Sequence, residues 1–288
     1  MNSLSLGVLL FAAACSDGRG ASGRTASDVC ARFKADTTPT PGAGWQLSSM
    51  PVVCDQGVLD QAAKDDALRR LNLYRWLAGL PPATADASLE PQEQACALVE
   101  DRLPQLSHFP PQSAACYSDA ASRAASESNL AKGVSLPADA VDLFLGDEGV
   151  PTLGHRRWCL GQGGRTAFGQ AGSGTCMFAF ALDTPGQPDA GFPFAAWPGP
   201  GPQPRAAVAT RWSYSANGGA LATGATMRVA DASGHVLAEG GTVDAELFGS
   251  GPAVSLDVGQ PDAGDYDVTV TGTDRGADTY RVTIVECP

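Results

Sequence analysis

The sequence predicts an α+β chain in two units, a helix-rich unit with a small sheet and then an all-β sandwich. Three observations predict it. Apolar residues at helical spacing, with helix starts and stops, recur between Val58 and Gly149. Short apolar strands separated by Gly, Asp, Ser or Pro turns recur between Val208 and Val285. Between them, Thr184 to Arg205 holds seven prolines and four glycines, the composition of a linker or an extended strap.

The first helix is predicted over Val58–Leu80. Ala67, Leu71, Tyr74 and Ala78 form one stripe, and Leu73, Leu77 and Leu80 a second, so the helix is sandwiched between layers. Gly79 and Pro81-Pro82 end it. A second helix has Pro91 in its first turn and carries Ala95, Leu98, Val99, Leu103 and Leu106, with Pro104 stopping or kinking it before His108. A third, rich in Ala, is predicted over Asp119–Ala131. A fourth starts at Ser135 with Pro137 in its first turn, carries Val141, Phe144 and Leu145, and stops at Gly146. Thr152 to Trp158 reads as a short capped turn of helix.

Strands are predicted over Thr166–Gln170 and Thr175–Leu182. The second is almost continuously apolar, which places it at the centre of its sheet, covered on both faces. Helices followed by a small sheet make a layered domain. Beyond the strap seven strands are predicted, over Val208–Tyr214, Thr226–Ala230, His235–Ala238, Thr242–Phe248, Ala253–Val258, Tyr266–Thr271 and Tyr280–Val285. Gly264-Asp265-Tyr266 at the opening of a strand is the mark of a tyrosine corner, which makes the sandwich Ig-like.

Composition bounds the rest. With 288 residues, 43% of them hydrophobic, the chain can bury a sizeable core. The 19 Lys+Arg stand against 31 Asp+Glu, a net charge of −12. An acidic chain without a basic run lacks the charge that nucleic-acid affinity needs, so nucleic acid is excluded as a partner. No apolar run reaches the ~18 residues of a membrane-spanning helix.

Leu4 to Ala14 are uncharged and mostly apolar or small, and Ala12-Ala13-Ala14 then meet Cys15. Such a segment reads as a secretory signal. A Cys directly after small residues resembles a bacterial lipobox, in which Cys15 would be lipidated. Residues 1–15 are thus expected to be a signal peptide and residues 16–56 a tether and N-terminal extension. The expected location is a membrane-anchored lipoprotein, periplasm-facing or on the cell surface, with plain secretion as the alternative. The only membrane contact would be the lipid anchor.

None of the eight cysteines forms C-x-x-C, which excludes zinc-ribbon and thioredoxin readings. Outside a reducing cytosol they read as bridges. Nearest-neighbour pairing suggests Cys96–Cys116 and Cys159–Cys176, and leaves Cys30, Cys54 and Cys287 competing for one bond.

Two of the three histidines, His108 and His155, sit beside Pro or Gly where helices end, positions from which a side chain can point into a cleft. Asp147 and Glu148 lie nearby. Two imidazoles and a carboxylate can ligate a divalent metal or serve as acid and base.

Five segments carry a family resemblance. Leu71-Asn72-Leu73-Tyr74-Arg75 with Gly79-Leu80-Pro81-Pro82, then Ser107-His108-Phe109-Pro110, Ser126-Glu127-Ser128-Asn129-Leu130-Ala131, Gly154-His155-Arg156 and Phe168-Gly169 follow in order. Together they resemble the CAP superfamily of cysteine-rich secretory, antigen-five and pathogenesis-related proteins, with its bacterial SCP-like members. The resemblance covers roughly Asp60 to Leu182. It implies a CAP-like α-β-α sandwich over residues 57–183, a Pro-rich linker over 184–205 and the Ig-like sandwich over 206–288.

The resemblance also implies a cleft lined by two histidines and two acids, which fall by position on His108, Ser128, Asp147 and His155. Glu127 and Asn129 flank that set as further cleft residues. Ser128 stands where the family carries Glu, and Glu127 where it carries Gly. As the neighbouring residue, Glu127 should point elsewhere on a regular backbone. A Zn or Mg site on His108, His155 and Asp147 would therefore lack one carboxylate.

The expectation is a binding or interaction module at the cell envelope, for a small molecule, a lipid or an envelope component. The alternatives are a metal-dependent, peptidase-like hydrolase using the two histidines and a lipid or sterol carrier. A Ser128–His155–Asp147 triad has the right residue types but no Gly-x-Ser-x-Gly elbow. Trp158, Phe178 and Phe180 are expected to be core, the alternative being a lipid pocket. Trp197 either covers the cleft or seals the join between the units.

Overall fold

The computed structural model describes residues 23–49, 52–161, 164–180, 194–216, 219–246, 248–249 and 251–288. The signal segment, Cys15 and residues 184–193 of the strap lie outside the described residues.

The N-terminal extension, expected as a tether, contains a helix, α1 (Ala26–Thr37). Thr25 and Asp28 form a reciprocal capping box that starts it, and Val29 buries its inner face. A polar, Gly-rich lead-in hid this helix from the periodicity. Next, β1 (Trp45–Gln46) pairs with β2 (Val58–Leu59). The first predicted helix therefore begins later, as α2 (Gln61–Leu77), where Asp60 accepts from the Ala63 N–H at 2.8 Å. Both of its stripes are buried, as a sandwiched helix requires.

A short strand β3 (Thr84–Ala85) leads to α3 (Glu90–Arg102), with Pro in its first turn and Leu103 as its cap. Next come α4 (Asp119–Glu127) and β4 (Ser128–Lys132). The third helix thus stops short of its predicted end. Residues 128–132 pair instead with a later strand, and that ladder outweighs local helix propensity. The remaining elements of this unit are α5 (Pro137–Gly146), α6 (Gly154–Cys159), β5 (Arg165–Thr166), β6 (Phe168–Ala171) and β7 (Gly174–Phe178).

The sheet runs β4-β7-β6, antiparallel, with β7 central as its apolar run predicts. Its two faces alternate. Leu130, Ala171 and Cys176 pack with Cys96, Ala97 and Leu98 of α3 and Ala124 and Ala125 of α4. Ala131, Phe168 and Met177 pack with α2 and α5 on the other side. The unit is thus a helix–sheet–helix sandwich. Gly169 permits the close contact on the α3 side, because a Cβ there would stand 2.1 Å from the Glu93 carbonyl oxygen.

The second unit is a sandwich of two sheets, antiparallel except that β9 pairs parallel with β16. One runs β13-β14-β10-β8 and the other β12-β11-β15-β16-β9. The strands are β8 (Ala195–Trp197), β9 (Gly201–Pro204), β10 (Arg211–Ser215), β11 (Leu221–Asp231), β12 (Val236–Gly240), β13 (Thr242–Asp244), β14 (Ala253–Asp257), β15 (Gly264–Thr273) and β16 (Gly276–Val285). All seven predicted strands are present. The strap expected as an unpacked linker supplies two more, β8 and β9. Both lie at sheet edges, where a proline's missing N–H breaks no interior ladder. Tyr266 donates its hydroxyl to the Asp262 carbonyl at 2.9 Å, the hydrogen bond of a tyrosine corner.

Among the described residues, three disulfides correct the nearest-neighbour pairing. They join Cys30 to Cys287, Cys54 to Cys116 and Cys96 to Cys176, with Cα atoms 5.1–6.1 Å apart. Cys159 is buried and, among the described residues, carries no bridge. Spacing misled here because α3 and β7 face each other across one layer, whereas Cys159 points into the other. Three bridges mark a protein of an oxidising, extracytoplasmic compartment. Among the described residues no helix is long and apolar enough to cross a membrane.

The units meet through buried contacts. Trp197 is fully buried and meets Tyr74 edge-on, with ring centroids 5.4 Å apart, so it seals the join. Gln203 donates to the Leu77 carbonyl at 2.9 Å.

Candidate functional site

His108 lies in the loop after α3, beyond the helix that Pro104 keeps from continuing. Its Nδ1 is 2.7 Å from the Ala125 carbonyl oxygen. A carbonyl only accepts, so Nδ1 carries a proton, and in the neutral ring Nε2 is then an acceptor. His155 is the second residue of α6. Its Nδ1 lies 2.8 Å from Asp147 Oδ1, and the same reasoning makes its Nε2 an acceptor in the neutral ring.

Asp147 is buried in a left-handed conformation at the end of α5. Its second oxygen accepts from the Arg156 N–H at 3.1 Å. Phe144 stacks on the His155 ring, with centroids 5.5 Å apart. The imidazole is thus held from behind by a carboxylate and on one face by a ring.

Both histidines line one cavity of about 370 Å³. Ser128 and Asn129 line it too. The rest of the wall is largely apolar: Phe109, Val150, Trp158, Phe180 and Phe248. Trp158 and Phe180 stack at 4.8 Å. The sequence predicts them as core, yet Phe180 is 49% exposed and both line the cavity, because β7 ends at Phe178 and leaves Phe180 beyond the sheet. Phe178 itself is buried. Trp197 does not line this cavity.

Asp147 and Glu127 also fall outside the lining. Asp147 lies behind His155, and Glu127 is half-buried at the end of α4. Asn129 donates to the His155 carbonyl at 3.0 Å and so positions the start of α6.

Ser128 does not join a catalytic triad. Its hydroxyl donates to Glu93 Oε2 at 2.8 Å and not to His155, whose Nδ1 bonds to Asp147. Glu93 is fully buried on α3, and its Oε1 has no partner among the described residues. Burial pushes its pKa up to about 8, against the opposing pull of the Ser128 hydrogen bond.

The three proposed metal ligands do not form a ligand set. Asp147 spends its Oδ1 on His155, and among the described residues no three His, Cys, Asp or Glu side chains are arranged to hold a metal ion. We therefore derive no chemistry through a metal.

A second cavity of about 450 Å³ opens where α2 and α5 meet residues 206–209. Glu148 lines it. There Arg70 and Tyr74 both bond to Asp142, Tyr74 at 2.5 Å, so these polar groups are already paired.

Sequence reasoning missed Phe109, Phe248 and Glu93 as parts of the site. Phe109 directly follows His108, which was a usable signal. Phe248 belongs to the sandwich, and Glu93 reads as an ordinary helix acid. Neither gives a local clue.

No family model matches the chain, and no curated protein does. Among solved structures, the crystal structure of CopC from Methylosinus trichosporium OB3b is similar over 27% of this chain and 78% of that one. The identity is 17% and the TM-score 0.23, a likeness too loose to carry any argument.

Proposed function

We propose that this chain is an exported CAP-like protein that acts as a binding module at the cell envelope, tethered by lipid at Cys15. The ligand site is the groove between His108 and His155. One observation carries this reading: two histidines from separate segments line a single small-molecule-sized cavity, each held by an oxygen at Nδ1 and offering Nε2. Hydrolysis through a Ser128–His155–Asp147 triad is disfavoured because the Ser128 hydroxyl donates to Glu93 rather than to His155.

The test is a fluorescence titration with N-phenyl-1-naphthylamine, a neutral fluorophore whose aromatic rings carry one N–H donor. Saturable binding at one site, with energy transfer from Trp158 that a Trp158→Phe variant loses, supports the groove. Absence of saturable binding, or binding unchanged in a His108→Ala/His155→Ala variant, overturns it. For the anchor, a Cys15→Ser protein should leave the membrane fraction, and its retention there would refute lipidation at that residue.

A further inference from the structure

One lining residue of the groove does not come from the first unit: Phe248, in the loop between β13 and β14 of the sandwich. That loop is clamped to α6 by one residue. The Arg157 guanidinium is buried, donates to the carbonyls of Glu246 and of Gly251 (2.6 Å), and lies 3.6 Å from Asp244. It also stands 5.0 Å from the centroid of the Phe248 ring. Gly249 has φ +49°, and a Cβ there would fall 2.3 Å from the Arg157 carbonyl oxygen, so the loop touches the helix backbone. The ring lies beside Gly154, where a Cβ would stand 3.9 Å from it.

The lining chemistry narrows the ligand. Among the described residues no Asp, Glu, Lys or Arg lines the cavity. Its polar side chains are the two imidazoles, whose Nε2 acceptors call for a donor on the ligand, together with Ser126, Ser128, Asn129 and Thr152. Phe109, Trp158, Phe180 and Phe248 supply ring faces for flat apolar groups. A chain with net charge −12 disfavours anions approaching it.

We propose that the sandwich is part of the binding site, with Phe248 as a ligand-contacting wall, and that the ligand is a small neutral ring compound carrying a hydroxyl or N–H donor. This rests on the groove reading above and adds its second wall and its ligand class.

The experiment compares two probes of one skeleton, N-phenyl-1-naphthylamine and its sulfonated analogue 1-anilinonaphthalene-8-sulfonate, on the full chain. The neutral probe should bind at least about tenfold more tightly than the sulfonate. Phe248→Ala should weaken the neutral probe about tenfold, and Phe248→Leu, which keeps most of the apolar contact, by less. Phe248→Trp guards against a folding artefact, because the indole it introduces should be quenched by the neutral probe through energy transfer and shielded from acrylamide.

If wild type binds the neutral probe but Phe248→Ala and Phe248→Leu bind it equally well, and the probe leaves the added emission of the Phe248→Trp variant untouched, the second wall is refuted while the groove stands. If the sulfonate binds as tightly, the neutral class is refuted. If wild type binds no probe, the groove itself falls, and this inference with it.

Discussion

Glu93 sits behind the groove as a buried acid, and its titration should be visible in the stability of the whole chain. The carboxyl is fully buried on α3, and Ser128 is its hydrogen-bond donor. Burial raises its pKa from 4.5 to about 8. Between those values the folded chain holds a proton that the unfolded chain has released. Stability from this group is therefore fully present below pH 4.5 and is lost as pH rises through about 8. In between, the slope is about −1.4 kcal/mol per pH unit, so about 2 kcal/mol is lost from about pH 5.5 to 7. Glu93→Gln keeps the shape and an acceptor for Ser128 but does not titrate. Urea unfolding of both proteins across that window should show the variant gaining about 2 kcal/mol on wild type. Taking the difference cancels other titrating groups, including Glu100, whose pKa burial also raises. Parallel stability curves for the two proteins would refute the claim that Glu93 is folded in its neutral form.

Other tests address the joints of the molecule. Arg156 is fully buried and donates to the carbonyls of Leu145 (2.6 Å), Gly146 (2.7 Å) and Arg211 (2.7 Å). Arg156→Met strands those acceptors and should cost about 3 kcal/mol in urea unfolding, whereas a loss below about 1 kcal/mol would show that they find other donors. Cys30→Ser/Cys287→Ser opens a loop of 257 residues and should cost up to about 5 kcal/mol. Non-reducing peptide mapping of wild type checks the pairing, and a Cys96–Cys116 peptide would contradict it. Asp147→Asn removes the carboxylate that orients His155 and should weaken N-phenyl-1-naphthylamine binding several-fold, while Ser128→Ala should weaken it less. The reverse order would mean that Ser128, not His155, holds the probe.

Much of the architecture was legible because it rests on local rules. Pro91, Pro137 and Gly146 mark helix ends that the structure keeps. The alternation in the second half marks strands, and Tyr266 marks the corner. What stayed hidden depends on contacts between distant segments. Ser128–Lys132 has the composition of a helix end and becomes a strand because β7 offers it a ladder. The Pro-rich strap looks unpackable until two sheet edges receive it. The site divides the same way. The motifs around His108 and His155 were readable, and the two rings do share a cavity. Phe248 and Glu93 reach the site only through the packing of one unit on the other and of α3 on the sheet.

The six residues of α6 bring these threads together. A helix so short does not hold its shape alone, so its position must be imposed by what its side chains reach. His155 reaches Asp147 and the cavity, and Trp158 walls the cavity. Arg156 ties the end of α5 to β10, and Arg157 holds the loop that bears Phe248. Two of the anchors that place the groove's histidine therefore lie in the sandwich. It follows that the first unit expressed alone, without residues 206–288, should retain its helical circular dichroism, held by Cys96–Cys176 and Cys54–Cys116, yet lose affinity for N-phenyl-1-naphthylamine. A truncated unit that bound the probe as tightly as the full chain would show that α6 is placed by its own unit, and that the buried arginines serve only to hold the two units together.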